Sequence, residues 1–140
     1  MIGVVVVTHG QLATELVNAA ETIVGDLPHV VAVSIGWHED VQDARREIGE
    51  AIATVSGPEG VLIVTDMFGG TPANLGITFL EAGRIEVVTG VNLPMLIKLA
   101  GLRDASSVLD AARQIREHGR YAIWVASDLL HGDSGGQGTP

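Results

Sequence analysis

Apolar, mostly β-branched residues fill five short runs, at residues 2–8, 30–35, 61–65, 85–89 and 121–126. None alternates strictly between apolar and polar positions, the pattern of strands buried on both faces. Between the runs the spacing turns helical. Leu12, Leu16, Ala19, Ala20 and Ile23 mark one stripe, and Val41, Ala44, Ile48, Ile52 and Val55 mark a second. Thr71 before Pro72, and Asn92 before Leu93 and Pro94, predict capped helix starts in which a first-turn proline sacrifices no hydrogen bond. A last helix fits residues 107–117, with Val108, Leu109, Ala112 and Ile115 on one side. Strands alternating with helices predict an α/β fold, an open parallel sheet with helices on both faces.

The pattern fades after Asp128. Residues 129–140 include Gly132, Ser134, Gly135, Gly136, Gly138 and a terminal Pro140, too little apolar surface to order themselves. The reading is therefore one domain over residues 1–127 and a flexible Gly/Ser-rich tail over 128–140. At 140 residues the chain is long enough to bury a core without staples. It has no cysteine, so disulfides, thiolate metal sites and cysteine nucleophiles are excluded. No Lys or Arg precedes Arg45 and no apolar stretch reaches the length of a membrane span, which predicts a cytoplasmic protein without signal peptide or membrane insertion. With 17 acidic against 8 basic residues, the net charge of −9 and the lack of a basic cluster argue against nucleic acid as a partner.

Three of the apolar runs end in Val-Thr, followed by His9, Asp66 and Gly90. Parallel strands bring those ends to one sheet edge, where open α/β sheets bind ligands. If the first and third strands are neighbours, His9 and Asp66 flank the crevice, although spacing alone does not decide the strand order. A carboxylate bonded to one ring nitrogen fixes the imidazole tautomer and leaves the other nitrogen nucleophilic. The loop beyond Asp66 adds Gly69 and Gly70, which allow close backbone approach, and Thr71-Pro72, which opens a helix whose N–H groups at Ala73 and Asn74 suit a phosphoryl group. Taken singly, each feature is more often structural: a histidine at a strand end is commonly just hydrogen-bonded. Their coincidence on one edge is what points to function.

In three ordered motifs the chain resembles the mannose-type EIIA domain of the bacterial phosphoenolpyruvate-dependent sugar phosphotransferase system (PTS). They are Thr8-His9-Gly10, Thr65-Asp66-Met67-Phe68-Gly69-Gly70-Thr71-Pro72-Ala73-Asn74, and Gly90-Val91-Asn92-Leu93-Pro94-Met95-Leu96. The similarity extends over about residues 1–127. It implies that His9 accepts a phosphoryl group from the phosphocarrier HPr and passes it to an EIIB domain, here on a separate chain, with Asp66 bonded to the far ring nitrogen. It also implies a sheet ordered 2-1-3-4 and a homodimer that exchanges an antiparallel edge strand, for which residues 121–126 are the candidate. The family often has Ser where this chain has Thr71, and the segment Gly36-Trp37-His38-Glu39-Asp40 matches no family pattern. Trp37 and His38 are candidates to line the crevice or touch a partner, although a tryptophan in such a loop more often covers core and an exposed loop histidine more often does nothing specific.

Other chemistries fit less well. His29, His118 and His131 have no ligand spacing and read as surface residues; His9 and Asp66 alone are too few ligands for zinc, so neither a metal nor a cofactor is expected. A small nucleotide-binding enzyme suits the architecture, but neither Gly-x-Gly-x-x-Gly nor a P-loop lysine follows the first strand. Gly-x-Ser-x-Gly likewise does not follow the first strand. The related phosphotransfer subunit of dihydroxyacetone kinase stays open, although Gly69-Gly70-Thr71-Pro72 favours the sugar-transport family. So does a regulatory sensor that uses the same His9 chemistry without onward transfer.

Overall fold

The computed structural model describes residues 1–37 and 39–132. In chain order its elements are β1 (Gly3–His9), α1 (Leu12–Val24), β2 (Val30–Ile35), α2 (Val41–Val55), β3 (Val61–Thr65), α3 (Thr71–Ile77), β4 (Ile85–Thr89), α4 (Leu93–Gly101), α5 (Val108–Tyr121) and α6 (Ala126–Leu130). The four strands form one sheet in the order β2-β1-β3-β4, and every pairing is parallel. This is the open α/β sheet and the strand order that the resemblance implies.

The valine run of β1 is apolar throughout because both of its faces are covered. Val4 and Val6 pack with Leu62 and Val64 of β3 into a core closed by α1, α4 and α5. Val5 and Val7 pack with Val61 and Ile63 into a second core closed by α2 and α3. Successive strand residues thus feed opposite layers, and all eight of these side chains are essentially inaccessible to solvent. The tight seating extends to Gly3, where a side chain would collide with the Val55 carbonyl at the end of α2.

The helix faces differ in detail from the periodic reading. On α1 the buried residues are Ala13, Val17 and Ala20, while Leu12 and Ile23 are exposed. α1 lies against β1, β2 and α4, and alanines at the contact bring it close to the sheet. Val41 and Leu109 are also exposed, at the first turns of α2 and α5. Asn92 caps α4 as expected, its side chain accepting from the Met95 amide at 3.1 Å. Thr71 does not cap α3: Gly70 holds the N-cap position, no side chain bonds the first turn, and Thr71 is already inside the helix.

Residues 121–126 are not a strand in this chain. α5 continues past residue 117 to Tyr121, the Ala122 and Ile123 amides still bond back to His118 and Arg120, and Ala126 opens α6. At the other end of the segment the Val125 carbonyl accepts from the Asp128 and Leu129 amides. α6 reaches Leu130, across the anticipated boundary at residue 127, whereas residues 133–140 of the expected tail lie outside the described residues. No helix among the described residues is long and apolar enough to cross a membrane.

The register of α2 can be tested directly. Ile48→Ala, which empties a fully buried position, should lower unfolding free energy by about 2–5 kcal/mol in urea titrations. Val41→Ala, on the exposed first turn, should stay within about 0.5 kcal/mol of wild type.

Candidate active site

β1 and β3 are direct neighbours with Val7 opposite Thr65, so the residues that leave the two strands meet at the carboxyl edge. His9 closes β1 on the face of Val5 and Val7, the α2 and α3 side. Asp66 follows β3. A single oxygen of its carboxylate, Oδ2, accepts from the His9 backbone N–H at 3.1 Å and lies 2.8 Å from His9 Nδ1. The other oxygen, Oδ1, accepts from the Met67 amide at 3.1 Å. The Asp66 side chain is mostly buried at 14% exposure, while that of His9 is 43% exposed.

Burial pushes the Asp66 carboxyl up, but the bond to the His9 ring, the His9 backbone N–H and the charge of the imidazole together bring it below its ordinary range. Asp66 is therefore a carboxylate at neutral pH and can only accept, which makes Nδ1 the donor and leaves the lone pair of a neutral ring on Nε2.

The loop after Asp66 delivers the backbone to that second nitrogen. Gly69 adopts φ +89°, a region that side chains disfavour. Gly70 lies against the ring itself: a Cβ there would stand 2.6 Å from His9 Cε1 and 3.1 Å from Nε2. Only glycine lets the start of α3 approach so closely. Among the described residues the amides of Gly70, Thr71 and Ala73 have no acceptor. The Asn74 amide is not free, because it already donates to the Gly70 carbonyl at 2.9 Å; the expectation that it faces an anion is corrected on that ground. β4 is tied into the same edge, since the Gly90 and Val91 amides both donate to the Thr65 carbonyl at 2.9 Å.

The remaining singled-out residues stand apart from this cluster. Trp37 is 91% exposed and covers no core, contrary to expectation, and His38 lies outside the described residues. His131 is exposed and His118 half-buried on α5. His29 is not a plain surface residue: its Nε2 is buried with no partner among the described residues, and burial, the amino terminus and Arg103 lower its pKa. Among the described residues no three His, Cys, Asp or Glu side chains gather as a metal centre would require. Reading the sequence left one close neighbour of His9 without a role: Thr8, whose hydroxyl touches the His9 carbonyl. Its polar character at the end of a valine run was the available signal.

The Asp66 pKa shift predicts a pH dependence. A carboxyl that is more acidic folded than unfolded adds stability above its unfolded pKa of about 4 and loses it as pH falls through the lower folded value. Asp66→Asn should be less stable than wild type at neutral pH, and urea titrations should show the gap closing as the solution is acidified through that window. A gap that stays constant would contradict the assignment.

Comparison with known proteins identifies the family. The family model EIIA-man, described as PTS system fructose IIA component, matches residues 3–116. The fructose-specific EIIA component of Bacillus subtilis is 28% identical over 131 residues, covering 93% of this chain and 90% of that protein. The sorbose-specific EIIA component of Lacticaseibacillus casei is 32% identical over 98 residues, covering 69% and 70%. Among solved structures, an EIIA phosphotransferase component from Streptococcus agalactiae superposes with a TM-score of 0.80 at 24% identity, covering 91% of this chain and 98% of that one. The chain belongs to the mannose family of PTS EIIA components, the phosphotransfer proteins of sugar uptake.

Proposed function

We propose that this chain takes a phosphoryl group from phosphorylated HPr onto His9 Nε2 and hands it to an EIIB domain on another chain. The observation that carries the reading is the 2.8 Å contact of His9 Nδ1 with Asp66 Oδ2, which leaves Nε2 as the half-exposed nucleophile beside Gly70. In the transfer, the Nε2 lone pair forms a bond to phosphorus as the donor's N–P bond breaks, and the donor imidazole keeps that electron pair. The ring proton stays on Nδ1, where Asp66 stabilises the positive charge that develops. Gly69 shapes the loop, and the free amides of Gly70, Thr71 and Ala73 offer donors to the phosphoryl oxygens. Such a carrier works in the cytoplasm, where its protein donor is charged. Onward transfer to EIIB is what separates this reading from that of a sensor.

The partner copy belongs to the same proposal. β4 is an edge strand, and a hollow of 370 Å³ beside it is lined by Val87, Val88, Leu109, Ala112, Arg113 and Arg116. Beyond α5, Ile123 and Val125 are 64% and 65% exposed among the described residues. An antiparallel strand from a second copy laid along β4 would pair the open backbone and bury those side chains.

Incubation with phosphoenolpyruvate, enzyme I and HPr should add one acid-labile phosphoryl group to the wild-type chain and none to His9→Ala. Asp66→Asn should label about 10–100-fold more slowly, because an amide fills the space without the charge. Equal labelling of His9→Ala would refute the assignment. Light scattering should give a dimer for the full chain and a monomer for a chain ending at Tyr121; a monomeric full chain would refute the exchange.

A further inference from the structure

Thr8 occupies the last position of the valine run before His9, on the opposite face of β1, and is completely buried. Its hydroxyl makes one bond in each direction. Oγ1 accepts from the Ala13 amide at 2.6 Å and donates to the His9 carbonyl at 3.1 Å. Gln11, at the N-cap position of α1, makes no side-chain bond to the first turn, so the cap of α1 comes from the strand residue that precedes the histidine.

This arrangement bears on the two bonds that His9 gives to Asp66. Backbone N–H and ring Nδ1 reach one oxygen together, which is satisfied only over a narrow range of His9 backbone and χ1 angles. The bond to the His9 carbonyl restrains rotation of the following peptide, and the bond from Ala13 locks the Thr8 rotamer that makes it. We propose that Thr8 is a positioning residue for His9, holding the His9 peptide so that the ring keeps its proton on Nδ1 against Asp66 and its lone pair on Nε2. The proposal rests on the reading of His9 as phosphoryl acceptor and deepens it. Thr8 touches neither the phosphoryl group nor its donor; it acts through the His9 backbone and the start of α1.

Thr8→Val keeps the shape and removes both bonds, whereas Thr8→Ser keeps the hydroxyl. ¹⁵N NMR of the unphosphorylated protein should show the neutral His9 ring as the Nδ1–H tautomer in wild type and Thr8→Ser, and as a mixture in Thr8→Val. With phosphorylated HPr as donor, turnover of Thr8→Val should fall about tenfold or more at an unchanged half-saturating HPr concentration, and Thr8→Ser should recover it to within about twofold. A folded Thr8→Val with wild-type tautomer and turnover overturns the proposal, as does a Thr8→Ser variant impaired as much as Thr8→Val. If Thr8→Val does not fold, Thr8→Ala against Thr8→Ser decides by the same readouts. The tautomer measurement uses no donor, so a wild-type chain that never labels at His9 overturns the phosphocarrier reading alone, and a tautomer shift in Thr8→Val still supports the role of Thr8.

Discussion

One carboxylate oxygen holds the site together. Asp66 Oδ2 receives both the backbone N–H and the ring Nδ1 of His9, and much of the surrounding structure serves to bring those two residues to the same point. β1 and β3 must be adjacent and parallel so that their carboxyl ends coincide. The register must set Val7 opposite Thr65, because a slip by one residue would turn His9 to the other layer. Residue 70 must lack a side chain, because Nε2 and Cε1 of the ring occupy the space that one would need.

The charge balance of the pair suits a carrier. A carboxylate moved fully into the interior would lose its hydration and tend to stay protonated. Here burial is partial and three N–H donors, from His9, its ring and Met67, compensate the loss. Asp66 stays ionised and shielded while His9 remains reachable from outside. That division suits the proposed role: the anchoring carboxylate is mostly buried, and the His9 side chain is partly exposed.

The sheet was readable from sequence because β1 and β3, buried on both faces, carry near-continuous apolar runs, and the edge strands β2 and β4 interrupt theirs internally only at Ser34 and Glu86. The pairing of His9 with Asp66 followed once their strands were neighbours, which the resemblance implied and spacing alone could not decide. What failed did so for local reasons. Residues 121–126 have strand composition, yet in the single chain they pair with neither sheet edge, and the helices α5 and α6 absorb Tyr121 and Ala126. Thr71 has the chemistry of a cap, but the backbone turns one residue earlier, at Gly70. The Asn74 amide, counted from a helix start at Thr71, belongs to the first hydrogen-bonded turn. Leu12 and Ile23 fit a helical stripe as well as Ala13 and Ala20 do, and only the close approach of α1 to the sheet selects the alanines. For Thr8 the sequence offered only a polar residue at the end of a valine run, since its two bonds connect a strand, a turn and a helix that sequence separates.

The bond from Nδ1 to Asp66 decides which ring nitrogen is left to react. If Asp66 holds Nδ1 as its donor, the phosphorylated protein carries phosphorus on Nε2, and ³¹P–¹⁵N correlation NMR of the ¹⁵N-labelled chain should show the coupling to that nitrogen of His9, with the Nδ1 proton retained. Phosphorus on Nδ1, or on any residue other than His9, would contradict the account.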